Sequence, residues 1–440
     1  MSTPVTTESS ILHRLADSSD PMQSEVFDDI RTKNRTLLEN VRFPTSRDED
    51  WRFLDLKPLT RTSFLPINQA SVSEVEDPES AFIPESETSR LVYINGIFRK
   101  DLSSVSGLPE EVVVGNLADH AGHPAVEEYL DELAIYEEDP FVPFNGSFLS
   151  DGGFIYLPKG ATLERPIQIL NLYSASEKPF FATPRLLVVA EEKSQATIVE
   201  DHIGTSDNPY LTVPVSEFKV KSNAHIHHVR IQRDSLEAVH VSRPVTYVER
   251  DAEYHSYTIT LGGRLTRNEP KVIQEDEEVD FTLDGLVLID GNQIADTHSI
   301  MDHRFSHARS HQLHKVVVKG SAHSIFNGKI FVRRDAQKID SFQENRNLLL
   351  SKDGLVNTKP QLEIFADDVL CSHGATIGQL DPEHVFYLQS RGMTEQKAKE
   401  VLTYAFALET IANVKVKSVH ELLVDEVKRY TTDLVENVVS

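Results

Sequence analysis

Cys371 is the only cysteine in 440 residues, and it stands two positions from His373 in the stretch EIFADDVLCSHGATIG, residues 363 to 378. Thiolate and imidazole are both ligands for iron and zinc. One thiol cannot close a disulfide within its own chain, nor supply the four thiolates of an ordinary iron–sulfur cluster. Cys371 is therefore either a small buried apolar residue or a ligand whose set another molecule completes. If residues 363 to 373 form one strand, Glu363, Phe365, Asp367, Val369, Cys371 and His373 share a face, with neighbours on that face about 7 Å apart. Their side chains could then converge on one metal ion. Gly374 and Gly378 would let the backbone turn just beyond.

Other chemistry-bearing residues point less clearly to a site. THSIMDHRFSHARSHQLH contains His298, His303, His307, His311 and His314, of which the last four have helical metal-binding spacing. The flanking runs read as strand, however, and on strands these histidines scatter over both faces and line a surface. In HIHH, His225 and His227 share one face of a solvated strand and His228 takes the other. Asp367 and Asp368 are adjacent, so on a strand they cannot flank one glycosidic bond. Asp367 with Glu363 remains as an acid pair for a carbohydrate-cleaving solenoid, without an aromatic platform beside it. FNGKI (326 to 330) ends in Gly-Lys-Ile, and Ala322, His323 and Ser324 occupy the region where a phosphate loop needs its first glycine, so the chain carries no ATP site of its own. A nucleophile elbow is also absent.

The elements that must position these residues fall into three parts. Residues 1–145 mix α and β. A polar start precedes a helical pattern from Ile11 to Glu39 with Val26, Ile30, Leu37 and Leu38 along it. Ser46 and Glu49 have capping-box spacing, and residues 66 to 90 read as an acidic linker. LVYINGIFR is a predicted hairpin around Asn95-Gly96, and PAVEEYLDELAIY a short amphipathic helix. Residues 146–386 are short β-branched runs bounded by Gly, Asn, Asp or Pro, such as FIYLPKG, PRLLVVAEEKSQATIVED and HKVVVKGSAHSIFNGKIFVRR. Run plus turn recurs at roughly 20 to 25 residues, and runs such as LLVVA are continuously apolar, as parallel strands buried on both faces are. A β-solenoid, a sandwich or a barrel fits this texture. Residues 387–440 return to helix. Thr394 is an N-cap, and Ala398, Val401, Leu402, Ala405 and Phe406 lie at helical spacing. A second helix from about Val419 places Leu423, Val427, Tyr430 and Leu434 on one side, to cap the β core or dock a partner.

Composition narrows the partners. The net charge of −25, from 44 Lys+Arg against 69 Asp+Glu, disfavours nucleic acid and anionic membrane surfaces. No apolar run approaches the roughly 18 residues that span a bilayer. A single cysteine suits a reducing compartment, and the N-terminus lacks a secretory pattern. A cytoplasmic protein is expected.

The run from SIFNGKIF to FYLQSRGM resembles the signature region of the SufB/SufD family, the non-ATPase subunits of the sulfur-mobilising iron–sulfur cluster assembly machinery. Its pieces are FNGKI, AQK, NLLLS, NTKPQLEI, ADDV, CSHGATIG and FYLQSRG, over about 70 residues. SRDEDWRFLDLKPL is similar to the Trp-containing N-terminal segment of the SufD branch. The lone cysteine agrees with that branch, since SufB chains carry further cysteines for sulfur handling. The resemblance implies a mainly β fold, a right-handed parallel β-helix flanked by helical N- and C-terminal regions. It implies a scaffold subunit rather than an enzyme, pairing with a SufB-like paralogue and a SufC-like ABC ATPase that hydrolyses ATP. It also implies that His373, and by position Cys371, hold iron or a transient iron–sulfur cluster at the interface with the SufB-like chain, which supplies the other thiolates. Homodimerisation of the isolated chain, cluster type and flavin binding are left open by the resemblance. The apolar stripes of residues 394 to 438 are the expected ATPase contact, and their deletion is expected to leave the β core folded. Two rivals stand beside this reading: an autonomous metalloenzyme built on the His-rich segment, and a carbohydrate-active solenoid.

Overall fold

The β-branched runs coil. In a computed structural model that describes residues 25–67, 74–135 and 139–432, consecutive strands alternate between two sheets. Each strand pairs in parallel with strands one coil away. His225–Arg233 lies between Gln195–Gly204 and Glu253–Thr260 in one sheet, and Val215–Val220 between Arg185–Ala190 and Val239–Val248 in the other. The result is a β-solenoid of about 8 turns, with helices at both chain ends. One coil takes about 30 residues, longer than the spacing of the apolar runs suggests, because each coil contains two strands and two corners.

One corner repeats. Lys193, Asn223, Asp251, Glu278, His307 and Lys338 each adopt a left-handed backbone, with φ from 54° to 62°. Each lies two residues before a strand of the same sheet, from Gln195–Gly204 to Asp340–Leu349. Such residues cost more in this conformation than glycine, so the ladder on both sides must hold them there.

The lumen is divided lengthwise. One half is apolar, with Ile155, Val188, Ile198, Val248, Ile330 and Val332 stacked coil upon coil. The other half is polar and equally dry: Glu200, His228, Arg230, Ser242, Asn268, Gln312 and Gln343 are all buried. Burial of such groups is tolerable only when they bond to one another. Glu200 accepts from His202 at 2.8 Å and from His228 at 3.2 Å, and Arg230 donates to Ser242 at 2.8 Å and Asn268 at 2.7 Å. Burial alone would raise the Glu200 carboxyl, but Arg230 and the two rings hold it well below the usual carboxylate range.

Both outer faces are covered. Val229, Ile231, Ile259, Leu286 and Leu288 pack beneath the C-terminal helices. The opposite sheet packs against the N-terminal region through Phe43, Leu54, Phe141, Phe144 and Phe148. Trp51, in the short 3-10 turn Glu49–Trp51, stacks on Phe141 at 5.6 Å and carries the Arg267 guanidinium at 3.7 Å. The strand Arg90–Ile94 already pairs in parallel with Ile167–Tyr173, so part of the first 145 residues belongs to the coil. The expected boundary at 145/146 falls inside the helix Phe141–Ser147.

That N-terminal cover is pinned by a buried ion pair. Arg185 reaches Glu217 at 2.6 Å with both side chains fully enclosed, and also bonds Asn145 at 3.0 Å. Glu217 accepts the backbone N–H groups of Leu133 and Ala134. Arg185→Met should cost about 3–5 kcal/mol, because it strands a buried carboxylate. Urea unfolding checks this, and adding Glu217→Gln should recover part of the loss. An unchanged midpoint for the single variant would show the pair to be dispensable.

Several sequence expectations hold. Asn95-Gly96 turns the hairpin of Arg90–Ile94 and Ile97–Phe98, both with positive φ. The Thr394 side chain accepts from the Lys397 N–H at 3.1 Å. Others need correction. Ser46 caps no helix; Asp48 instead takes the Thr45 N–H and Arg42. The helix Asp28–Asn40 buries Arg31, Asn34 and Leu38, whereas Val26 and Leu37 are exposed. PAVEEYLDELAIY is helical only over Pro124–Tyr129. The buried face of Glu395–Ile411 includes Ala398 as expected but continues through Thr403, Ala407, Thr410 and Ile411, and Ala405 is exposed. In Lys417–Thr432, Leu423 and Val427 are buried and Tyr430 partly so, as expected. The polar start and the helical pattern before Glu25, the middle of the acidic linker (68–73), Tyr136 and Leu434 lie outside the described residues.

Candidate functional site

Residues 363 to 373 are not one strand. Leu355–Ile364 completes one sheet, a corner follows, and Leu370–Gly378 completes the other. Glu363 therefore sits in a different sheet from Cys371 and His373, and pairs with Lys329 at 2.9 Å. Asp367 and Asp368 occupy the corner, where Asp368 pairs with Lys338. No acid pair flanks a groove here.

Cys371 and His373 share one side of the last strand, next to Ser341 and Gln343 of the preceding coil. Those two are wholly buried in the lumen, so Cys371 and His373 face along the lumen where the coil stops. Both terminal strands end their sheets, and their outer edges carry no partner among the described residues. The rim is apolar and open: Leu355, Phe365, Leu370 and Ile377 are exposed, Leu370 at 74%.

The two ligand types differ in readiness. Cys371 is half-buried against the apolar luminal core. Burial and then Asp340 push its thiol up to about 11, against the pull of the backbone bond with Ser341. Without a nearby cation it stays protonated at neutral pH, and a coordinating metal ion would reverse that balance. His373 is exposed, and its ring makes no hydrogen bond among the described residues. Its ring is free to coordinate. Among the described residues, no group of three His, Cys, Asp or Glu side chains is placed to hold a metal ion.

The His-rich segment does not converge. His298 bonds Asp296 at 3.0 Å, His303 bonds Ser310 at 2.9 Å, and His311 lies beside Asp284. The expected surface role fails for His303 and His314, which are buried; His314 stacks on Phe326 at 4.8 Å. Likewise His228 is buried beside Glu200, rather than lying on a solvated strand as expected, while His227 stacks on His255. FNGKI lies within the strand His323–Val332, with no loop to cradle a phosphate.

The expected C-terminal stripes are taken up in part by the sheet. Phe406, Leu423, Val427 and Tyr430 pack with Ala407, Ile411 and Val419 against it, whereas Ala405 is exposed. Exposed apolar side chains lie instead on the helix Pro382–Ser390, where Phe386 is 71% and Tyr387 57% exposed, with Met393 just beyond. The sequence reading overlooked these two aromatics and the buried Gln343. The alternation Ser341, Gln343, Asn345, Asn347 in SFQENRN was the available signal for a polar lumen.

Fold and geometry together define a β-solenoid whose end carrying Cys371 and His373 lies open. The core, residues 172–406, matches the family described as SUF system FeS cluster assembly, SufBD core domain, and residues 12–169 match the SufBD protein N-terminal region. The chain belongs to the SufBD family of iron–sulfur cluster assembly proteins. It is 35% identical over 392 residues to a SufBD family protein of Synechocystis, covering 87% of this chain and 86% of that one. It is 30% identical over 375 residues to the iron–sulfur cluster assembly protein SufD of Escherichia coli, covering 84% and 85%. A chloroplastic protein of Arabidopsis thaliana is 30% identical over 427 residues, covering 93% and 87%. No helix among the described residues is long and apolar enough to cross a membrane.

Proposed function

We propose that this chain is a non-ATPase scaffold subunit of a cytoplasmic SUF assembly complex. It pairs with a SufB-like paralogue through the open end of its coil and shares a nascent iron–sulfur cluster there. The observation that carries this reading is the coincidence of two things at one place: unpaired sheet edges and an imidazole without a partner. Unpaired edges with an apolar rim invite another chain's strands. Ligands from such a chain would complete a set to which this one gives His373 and, once a metal ion lowers its thiol, Cys371. Iron–sulfur centres accept His in place of Cys. An incomplete set within each subunit suits release of a cluster better than storage.

ATP hydrolysis is assigned to a SufC-like subunit. Its nucleotide states can move this scaffold only if they contact it differently. Phe386 and Tyr387 on Pro382–Ser390 are the proposed contact, a short step along the chain from the cluster strand Leu370–Gly378. In isolation, a second copy of the chain can take the paralogue's place at the same edges.

His373→Ala in the complex reconstituted with the SufB-like and SufC-like subunits tests the reading. Cluster formed per complex should fall more than about tenfold, with assembly unchanged by size-exclusion chromatography. Full cluster yield in an intact complex would remove His373 from the mechanism.

A further inference from the structure

Gln343 ends a buried column of side-chain amides and hydroxyls. Its Nε2 donates to Gln312 Oε1 at 2.8 Å, and Gln312 Nε2 donates to Ser299 Oγ at 2.8 Å. The donor side of the Gln343 amide is therefore committed to the coil behind it. The acceptor side is not: Oε1 is buried with no hydrogen-bond partner. Buried acceptors are rarely left so without reason. Space for this amide is built in across the lumen, where a Cβ on Gly328 would come within 2.4 Å of Gln343 Nε2. That glycine belongs to FNGKI, and any larger residue would push the amide away.

The next residue in register with Gln343, one strand further along, is His373. Neighbouring strands stand about 4.8 Å apart, and side chains in register on one side are close neighbours. So an acceptor lacking a donor adjoins a ring N–H lacking an acceptor. We infer that Gln343 is a positioning residue, whose Oε1 accepts the N–H of His373 and so fixes which ring nitrogen carries the lone pair left for coordination.

The chemistry is specific to a carbonyl. An amide oxygen can only accept, so it selects the N–H side of the imidazole and turns the bare nitrogen towards the open end. Histidines that bind metals commonly have the other ring nitrogen held in this way. Holding the tautomer before the ligand arrives also spares the ring a reorganisation on binding. The inference rests on His373 acting as a ligand, but its test does not.

The test uses the metal-free full-length chain labelled with 15N-histidine, at mildly alkaline pH. The His373 signals are assigned by their loss in His373→Gln. The native chain should show well-separated ring nitrogens, the signature of one dominant tautomer. Gln343→Met, similar in shape but without the acceptor, should draw the two signals together, and Gln343→Glu, which restores an acceptor, should part them again. Unmoved signals in Gln343→Met would overturn the inference. So would signals that respond only to Thr358→Val, the removal of another hydroxyl of the last coil that is buried without a partner. Cluster yield in the His373→Ala complex is read separately, so failure of the ligand role and failure of the positioning role are distinct results.

Discussion

Acidification from pH 6.5 towards about 4 should destabilise this fold by several kcal/mol, well before ordinary carboxylates are protonated. His240, His303 and His314 are enclosed in the coil, and burial lowers each from 6.5 to about 4. For His303 and His240 the nearby Asp302 and Asp234 only partly offset that burial. Between those two values the unfolded chain binds protons that the native chain refuses, so stability falls as pH falls. It is fully present above 6.5 and levels off below about 4. Each histidine contributes up to about 3 kcal/mol across the window, from roughly 1.4 kcal/mol per pH unit. Glu200, held well below the carboxylate range, adds a further loss once pH falls below its ordinary value of 4.5. Urea unfolding at a series of pH values measures the slope. His314→Leu should reduce it by about one proton, since His314 Nε2 has no hydrogen-bond partner to lose. A stability flat from pH 7 to 5 would show that these rings are hydrated.

Removing everything after Met393 should abolish folding. The sequence reading expected the β core to survive loss of the terminal helices, but the structure contradicts the premise. Ile411, Val419, Leu423 and Val427 cover Val229, Ile231, Ile259, Leu286 and Leu288. At about 1.5–3 kcal/mol per large apolar side chain, uncovering this face would exceed the 5–15 kcal/mol that holds an ordinary domain folded. Polar ties go too: Tyr430 donates to the Ile289 carbonyl at 2.8 Å, and the buried Lys315 to the Phe406 carbonyl at 2.9 Å. The truncated chain should be found in aggregates and lose its far-ultraviolet strand signal. A soluble, cooperatively melting truncation would refute the covering role. Leu423→Ala is the graded version, with an expected loss of about 2–5 kcal/mol.

What the sequence revealed depends on the range of the interactions. Asn95-Gly96 and the Thr394 cap were legible, because each is decided within a few residues. The β-branched runs showed strands for the same reason, but they left a solenoid, a sandwich and a barrel open, and the family resemblance singled out the solenoid. Its corners were harder to see: Lys193, Glu278 and Lys338 are poor turn signals, held left-handed by the ladders around them. The helix Glu395–Ile411 misled because it buries small polar residues, Thr403 and Thr410. An apolar count favours Ala405 over either. At the site, the pairing of Cys371 with His373 was visible from spacing. That both lie at the mouth of the lumen was not, since it depends on where the last strand ends.

The opposite end of the coil is finished differently. There the sheets stop in two short antiparallel strands, Ile97–Phe98 and Val113–Asn116. A parallel newcomer finds no continuous ladder to extend at that end, and short edges discourage addition. On the pairing proposed above, the subunit thus has a valence of one. Two such bodies joined end to end would consume the open edges of both, so assembly would stop at a closed pair instead of growing into a filament.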